Sequence, residues 1–365
     1  MSFDKTFPSD VMTKRERVIA TLEHQPVDRV ALHEQLSFNP GVIQMYTGRK
    51  VDGFDYTIDD VCVVIRKTMD MCFPPVKPRG TEQVTTSDGF VLQNDNWTSW
   101  HVSRPFNDET GAKDWLLARI EGMKNTSFDP DSHRENYRTD MLNLQSKIGE
   151  TVILNYSQTG FSSVFDLMGL EIFTFFELEY PEILDDFLRL SVERESLRIH
   201  AVADSALSPV ILIPEDFATK QGPIFSPEFL HKYHYRHVAR LADAWHEHGI
   251  TALYHSDGNY AKAVPDLIDC GVDGFYCLEP NCGMDIVHLK NTYPAMVWVG
   301  GVDGVDLLER GSPQQVREEV RRHIQETNAL QTGGMFVASS SEINPPIPPE
   351  NFRAMVEAVG EMTNP

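Results

Sequence analysis

A chain of 365 residues is longer than one minimal domain and fits a single (β/α)₈ barrel with insertions. Its hydrophobic fraction of 41% and aromatic fraction of 10% are typical of a globular protein with a large core. Lys and Arg total 32 against 54 for Asp and Glu, giving a net charge of −22. Such a surface repels phosphate backbones, so nucleic acid is excluded as an expected partner.

The N-terminus and the cysteines favour a soluble, cytoplasmic protein. Residues 1–5 lack the basic-then-apolar layout of a signal peptide, and no apolar run is long enough to span a bilayer. The five cysteines are odd in number and irregularly spaced. We therefore expect reduced thiols, a cytoplasmic location and no membrane contact.

The first third of the chain predicts one amphipathic helix, one strand and one β excursion. Residues 11–24 have the periodicity of an amphipathic helix, within an N-terminal helical segment over residues 1–29. Residues 30–34 predict a first strand. Residues 84–102, which contain a Ser-Asp-Gly turn, predict a β-hairpin insertion outside the barrel wall.

From residue 150 onward, short apolar runs alternate with helical stretches. The predicted strands are 151–157, 209–214, 251–255, 274–278, 296–300 and 334–338. The predicted helices include 181–203, 226–248, 260–269 and 313–329. Apolar runs between helices are typical of buried parallel strands. With one or two strands in the first half they make eight, so we predict an α/β fold, a single-domain (β/α)₈ TIM barrel over residues 1–365.

The residues after each predicted strand favour the barrel over an open doubly wound sheet. No glycine-rich phosphate loop succeeds any of the strands, whereas polar residues stand at the end of strand after strand. In a (β/α)₈ barrel the C-terminal ends of the strands form the rim that carries the active site. Residues far apart in the sequence are therefore expected to converge at one mouth.

The strand ends give the candidate site residues. An imidazole and a carboxylate at His255 and Asp257 can bind a divalent metal or form an acid/base pair. The catalytic candidates are His255, Asp257, Asp216 and Glu279. The candidates for substrate binding are Asn155, Tyr156, Glu215, Asn259, Asp303 and Ser341. The candidate metal ligands are His255, Asp257, Glu279 and Cys282, which could form a zinc site with an open position.

Several of these residues also have a structural interpretation. Asp257 could simply cap the helix that begins near residue 261. Glu215 and Asp216 could be an exposed acidic pair, and of the two we favour Asp216 as facing the site. Cys277 lies inside its predicted strand and is interpreted as a small core residue rather than a ligand.

The chain resembles the uroporphyrinogen decarboxylase superfamily, which also contains corrinoid-dependent methyltransferases. The stretches that carry the resemblance, in order, are Arg15-Glu16-Arg17-Val18, Pro26-Val27-Asp28-Arg29-Val30, His255-Ser256-Asp257-Gly258, Gly271-Val272-Asp273, Leu278-Glu279-Pro280, Gly283-Met284-Asp285, Gly300-Gly301-Val302-Asp303 and Pro349-Glu350-Asn351-Phe352. Each is weak alone, but their order and spacing along nearly the whole chain are specific. The family fold is a (β/α)₈ barrel, in agreement with the strand pattern.

The resemblance is greater to the methyltransferase branch than to true uroporphyrinogen decarboxylases. Those decarboxylases carry an arginine-rich segment after the first strand that holds the substrate's carboxylates, whereas residues 33–38 of this chain contain no arginine. Thiol-methylating members bind zinc through His-x-Cys and a distant Cys. His255 matches the histidine, whereas Asp257 and Ser341 stand where the family has cysteines. A harder ligand set implies a different methyl donor or acceptor.

The resemblance implies a methyltransferase that demethylates a small methylated substrate, such as an aromatic methyl ether or amine. It implies a corrinoid-binding partner protein that carries cobalamin, a zinc cofactor and a homodimer. A Lewis acid or general acid at His255, Asp257 and Glu279 would assist the leaving oxygen or nitrogen. Two alternatives stay open, a uroporphyrinogen-type decarboxylase and a non-catalytic barrel that binds a small ligand.

Overall fold

The computed structural model describes residues 5–364 and contains a parallel barrel flanked by helices. Its eight strands, in chain order, are Ala31–Glu34, Met71–Cys72, Val152–Ile153 continued by Asn155–Tyr156, Val210–Pro214, Thr251–His255, Gly274–Tyr276, Val297–Val302 and Met335–Ser339. The first and last strands pair with each other in parallel. The predicted (β/α)₈ barrel is therefore confirmed.

The third strand completes the barrel because its two halves pair with different neighbours. Val152 and Ile153 pair with the second strand, whereas Asn155 and Tyr156 pair with the fourth. Leu154 lies between the halves, and its amide N–H donates to the carbonyl of Cys72 at 2.8 Å. The ladder of parallel pairs consequently runs around the whole barrel and leaves no free edge.

Alternate residues of each strand pack into two separate cores. In the fourth strand, Val210 and Leu212 belong to the core inside the barrel, whereas Ile211 and Ile213 pack outward against the helices. In the fifth strand, Leu253 points inward and Tyr254 outward. This period of two is why the strands read as continuous apolar runs, since both faces are buried.

Helices connect successive strands and cover the outside of the barrel. The α-helices are Lys14–Leu22, Pro40–Thr47, Ile58–Thr68, Glu109–Asn125, Pro130–Ile148, Phe161–Met168, Leu170–Glu179, Pro181–Val202, Pro227–Leu230, Arg236–His246, Val264–Asp269, Ile286–Thr292, Pro313–Glu326, Ala329–Thr332 and Pro349–Glu361. A π-helical stretch, His231–Tyr235, joins two of them into the predicted helix over residues 226–248. Within residues 5–364, no helix combines the length and apolarity needed to cross a bilayer.

The first half of the chain differs from its prediction in two places. The predicted hairpin over residues 84–102 is a three-stranded antiparallel sheet, Gln83–Thr85, Val91–Asp95 and Thr98–Ser103. The second barrel strand has only two residues, Met71–Cys72, and no periodicity can reveal so short an element. Of the predicted N-terminal segment, Lys14–Leu22 is helical, and residues 1–4 lie outside the described residues.

Two arginines and three aspartates form a buried ionic network at the N-terminal end of the barrel. Arg17 and Arg29 are 0% exposed, and both donate to Asp70 at 2.7–3.0 Å. Asp28 binds Arg17, and Asp10 binds Arg29. Asp70 also accepts the amide N–H of Leu32 in the first strand at 2.8 Å. The network therefore ties the N-terminal helix to the first two strands, far from the rim.

Glu34, at the end of the first strand, is a fully buried carboxyl with a shifted pKa. Burial raises the pKa of Glu34 to about 8, although the amide and hydroxyl of Ser339 donate to its oxygens at 2.5 and 2.7 Å. Since the folded pKa exceeds the unfolded value, the protonated form stabilises the fold at low pH. That stabilisation is lost as the pH rises through about 8.

Replacement of Glu34 by Gln is expected to flatten this pH dependence. The wild-type free energy of unfolding should fall between pH 5 and pH 8, relative to that of Glu34→Gln, by on the order of 2 kcal/mol. Urea unfolding of both proteins at the two pH values measures the difference. Parallel stabilities across this range would show that Glu34 is not protonated in the fold.

Candidate active site at the barrel rim

His255 is the last residue of the fifth strand and faces the barrel interior. It lies two residues after the inward-pointing Leu253, so the pleat places its side chain on the same face. The imidazole is 16% exposed and packs against the ring of Tyr276, with ring centroids 5.3 Å apart. The neighbouring strand thereby fixes the ring plane of His255 at the mouth of the barrel.

Two carboxylates lie at Nε2 of His255. Asp216 Oδ1 lies 3.3 Å away and Asp257 Oδ1 lies 3.8 Å away. The same Asp216 oxygen accepts the amide N–H of Asp257 at 2.9 Å, which links the ends of the fourth and fifth strands. Burial opposes protonation of the ring, but the hydrogen bond and charge of Asp216 and the charge of Asp257 outweigh it and raise the pKa of His255. The mouth therefore concentrates negative charge around one imidazole.

Cys277 joins this cluster because its backbone leaves the β conformation. It follows the inward-facing Tyr276, so regular alternation would point it outward. Its φ of +66° instead turns the side chain into the barrel interior, a left-handed conformation that is costly for a residue with a Cβ. The thiol lies 3.0 Å from Asp257 Oδ1 and 2.9 Å from the carbonyl of Ser340. Burial and the nearby charge of Asp257 raise the pKa of Cys277.

His255, Asp257 and Cys277 together offer three metal-ligand atoms. One nitrogen, one oxygen and one sulfur lie within 4.8 Å of one another. Zinc binds nitrogen, oxygen and sulfur donors of these types. The protons of these groups lie between His255 Nε2 and Asp216 Oδ1, 3.3 Å apart, and between the Cys277 thiol and Asp257 Oδ1, 3.0 Å apart. The donor set therefore fits a divalent cation that would replace those protons.

Glu279 and Cys282, which were predicted as metal ligands, lie outside this group of three. Glu279 Oε2 accepts the amide N–H of Gly258 at 2.8 Å, and the thiol of Cys282 lies 3.2 Å from that oxygen. Gly258 has φ +78°, and a Cβ there would stand 2.7 Å from the carbonyl oxygen of Thr219. Glu279 thus holds the glycine turn that bends the chain after Asp257. The structure therefore brings Cys277, rather than Cys282, next to His255 and Asp257, and the predicted ligand set stays a prediction.

A cavity of about 1120 Å³ opens beside His255. Its barrel wall comes from Leu212, Pro214, His255 and Tyr276 at the strand ends. The rest of the wall comes mainly from segments between residues 35 and 198, and it includes the aromatic side chains of Phe38, Phe73, Phe128, Tyr137, Tyr156 and Phe187. This volume and its mainly apolar walls suit a small organic molecule. His255 is the one member of the cluster that lines both the cavity and the acidic mouth.

Only two of the six residues predicted to bind substrate line this cavity, Asn155 and Tyr156. Glu215 is fully buried and accepts hydrogen bonds from Thr159 and Ser162, because the pleat points it outward from the barrel. The other three lie in turns outside the cavity lining. Asp303 accepts the amides of residues 305 and 306, Asn259 accepts the amide of residue 261, and Ser341 donates to the carbonyl of residue 342.

The site residues chosen from the sequence leave out Glu342 and the arginines that line the cavity. Glu342 follows the last strand, and its Oε1 accepts a hydrogen bond from Gln35 Nε2 at 2.5 Å. Burial raises the pKa of Glu342, and the charge of Asp257 adds to this, against the opposing effect of Arg79. Glu342 was recognisable as a rim residue, since it ends a polar run after a strand. Four arginines also line the cavity, and they come from helices and loops whose orientation the sequence does not reveal: Arg79, Arg119, Arg194 and Arg198.

Comparisons with known proteins fit this architecture. The model of the family described as uroporphyrinogen decarboxylase (URO-D) matches residues 171–362. A solved structure of a methyltransferase from Methanosarcina mazei is similar with a TM-score of 0.63 and 18% sequence identity, covering 96% of this chain and 99% of its own. At that identity the similarity establishes the fold alone.

A sugar phosphate isomerase/epimerase from Parabacteroides distasonis shows weaker similarity. Its TM-score is 0.31 at 13% identity, over 60% of this chain and 74% of its own. A TM-score of this size does not establish a shared fold. No curated protein matches the chain by sequence.

Proposed function

Since the chain belongs to the uroporphyrinogen decarboxylase family, we propose that it is a methyltransferase. It takes a methyl group from a small methylated substrate, such as an aromatic ether or amine, and passes it to a corrinoid on a separate protein. The fold shared with the methyltransferase from Methanosarcina mazei supports this assignment. The corrinoid protein and the homodimer stay predictions from the family resemblance.

One observation carries the proposal, the cluster of His255, Asp257 and Cys277 beside an apolar cavity. A barrel that only bound a ligand would have no need for two carboxylates, an imidazole and a strained cysteine at one point. Clustered groups of this kind are typical of sites that bind a cation or move protons. The cavity beside them has room for the methyl-bearing molecule.

The cluster supports zinc as the cofactor, held by His255, Asp257 and Cys277. A bound zinc ion supplies a Lewis acid that lowers the negative charge developing on the leaving oxygen or nitrogen. Asp216 hydrogen-bonds the His255 ring, and Tyr276 packs against it, so both keep the imidazole in one orientation. The mixed ligand set is harder than one rich in thiolates, which suits an oxygen or nitrogen group rather than a thiol.

Glu342 is the proton source for the leaving group in this proposal. It lines the cavity, and burial raises the pKa of its carboxyl above the usual range, so Glu342 holds its proton more tightly than an ordinary glutamate. The methyl carbon–oxygen bond breaks with its electron pair left on oxygen, while the reduced corrinoid, as acceptor substrate, supplies the pair for the new bond to carbon. The proton of Glu342 neutralises the oxygen, and solvent returns that proton afterwards.

Methyl transfer by wild type and Glu342→Gln tests this role. The full-length chain is mixed with reduced corrinoid and methoxylated aromatic compounds, and methylation of the corrinoid is followed by its absorbance. The wild-type rate should fall as pH rises through the pKa of Glu342, because the acid form is lost. The rate of Glu342→Gln should be about 10²-fold lower and independent of this ionisation. Equal rates and equal pH profiles would show that Glu342 donates no proton.

The second candidate function is decarboxylation of a tetrapyrrole that carries several carboxylates, for which arginines in the cavity would be needed. Residues 33–38 contain no arginine, but four arginines from other segments line the cavity. Two of them are already neutralised by acidic partners, Arg119 by Asp88 and Arg198 by Glu195. Arg79 and Arg194 form no ion pair among the described residues, and two such charges do not match a substrate with several carboxylates. Release of carbon dioxide from uroporphyrinogen by the purified chain would establish this candidate instead.

A further inference from the structure

Arg194, on the helix Pro181–Val202, lines the cavity with its charge uncompensated. Its Nη1 donates to the carbonyls of Met123 and Thr126 at 2.7 and 3.0 Å. Among the residues that the structure describes, it forms no ion pair with a carboxylate. The two carbonyls fix the orientation of the guanidinium without cancelling its charge.

The N–H groups of Arg194 that have no partner among the described residues are suited to bind a carboxylate. A guanidinium has five N–H groups in a rigid plane. Contacts with Met123 and Thr126 occupy Nη1, so Nε–H and Nη2–H have no partner among the described residues. These two neighbouring groups form the side-on fork that matches both oxygens of a carboxylate.

The net charge of the protein makes such an arginine unusual. Acidic residues number 54 against 32 Lys and Arg, and most arginines in the described chain have an acidic partner. Arg79 also lines the cavity without an ion pair, but it is exposed and lacks the carbonyl contacts that fix Arg194. Arg194 is therefore the better-positioned anion-binding group.

The surroundings of Arg194 in the cavity indicate the rest of the ligand. Met123, Phe128 and Phe187 line the same cavity and offer flat, apolar surface. The cavity continues to His255 and Tyr276 at the strand ends. A ligand bound beside these residues would combine an aromatic body with one carboxylate and would occupy part of the cavity.

We propose that Arg194 binds the carboxylate of the substrate, so that the substrate class is a methylated aromatic carboxylate. This inference rests on the proposed methyl transfer, with the methyl-bearing atom towards His255. Arg194 is a specificity residue, because it selects the anionic substrate and takes no part in bond breaking.

Binding measurements test the inference without any turnover. Titration calorimetry compares 4-methoxybenzoate with its neutral analogue 4-methoxybenzamide on the full-length protein. Wild type should bind the benzoate more tightly than the amide. Arg194→Gln should bind the benzoate about 10- to 100-fold more weakly and the amide as wild type does. Arg194→Lys, which keeps the charge without the fork, should lie between them.

Arg104 provides a matched control. Its side chain donates to the main-chain carbonyls of Leu167 and Asp166, it has no described ion pair, and it does not line the cavity. Arg104→Gln should keep the wild-type preference for the benzoate. The inference would be overturned if wild type bound the two probes equally or bound neither. It would also be overturned if both Arg194 variants kept the preference for the benzoate.

The outcomes also separate this inference from the proposed function. If benzoate binding depends on Arg194 but no methyl group is transferred, the anion site stands and the methyltransferase assignment fails. If methyl transfer proceeds equally from the amide, the assignment stands and the carboxylate specificity fails.

Discussion

Replacement of His255 by Ala is expected to abolish binding of the proposed zinc ion and to lower methyl transfer by at least about 10²- to 10³-fold. His255 is the nitrogen donor of the group that also contains Asp257 and Cys277. Two ligands from the protein are too few to hold zinc at ordinary concentrations, so the Lewis acid is lost with the imidazole. Metal analysis of the purified wild type and variant, alongside the corrinoid methylation assay, measures both effects.

The two cysteines near the rim provide the matched pair for this experiment. Cys277→Ser should lose zinc, because the Cys277 thiol lies beside Asp257 in the proposed ligand group. Cys282→Ser should keep one zinc per chain, because the Cys282 thiol contacts Glu279 instead. Loss of zinc from Cys282→Ser with retention in Cys277→Ser would restore the ligand set predicted from the sequence. Absence of zinc from all of the proteins, after purification without chelators, would rule out the metal centre.

Replacement of Asp70 by Asn is expected to destabilise the fold by about 3–5 kcal/mol. Asp70 is 0% exposed and compensates the charges of both Arg17 and Arg29. The two arginines outweigh the burial of the carboxyl and hold the pKa of Asp70 below its usual range. The native network therefore stabilises the protein above the unfolded pKa of aspartate, and that stability is lost as the pH falls below it. Urea unfolding at neutral pH measures the loss.

A surface ion pair provides the comparison. Asp59 lies 2.7 Å from Lys147, and both side chains are exposed. Asp59→Asn should change the free energy of unfolding by less than about 1 kcal/mol. Similar effects of the two substitutions would mean that solvent reaches Asp70 and that the network is not a buried one.

The second half of the barrel was predictable because its strands are buried on both faces. Apolar runs such as residues 209–214 and 251–255 stand out between polar helices, and the parallel strands confirm them. The strand Met71–Cys72 escaped detection, since two residues carry no period. The strand Gln83–Thr85, which adds to the predicted hairpin as an extra strand, was missed because its residues are exposed and have no apolar pattern.

The site was predictable as far as the strand pleat extends. His255 follows Leu253 by two residues, and Asp216 follows Pro214 by two, so alternation brings both to the interior and sends Glu215 outward. Cys277 could not be placed in this way, because its positive φ reverses the alternation. Cysteine is not a residue type that marks a left-handed backbone position, so the local sequence gives no sign of this conformation.

The outer wall of the cavity lies beyond sequence inference for a different reason. Arg194 sits on a long helix, and which face of it meets the cavity depends on how the helices of the first half pack. Loops and packed helices around a barrel mouth carry no periodic signal for the residues that bind substrate. The role of Arg194 in selecting the substrate could therefore be inferred only from the structure, whereas the position of the site could also be inferred from the sequence.

The destination of a labelled methyl group shows directly whether this protein transfers methyl groups from a small substrate to a corrinoid. The zinc-loaded chain is incubated with reduced corrinoid and a set of trideuteromethyl-labelled aromatic ethers and amines, both with and without a carboxylate. The corrinoid and the demethylated compounds are then identified by mass. We expect the intact trideuteromethyl group on the corrinoid, together with an equal amount of demethylated product that retains any carboxylate. We expect neither product with His255→Ala. An unlabelled corrinoid with every methylated compound unchanged, or carbon dioxide released in place of methyl transfer, would contradict it.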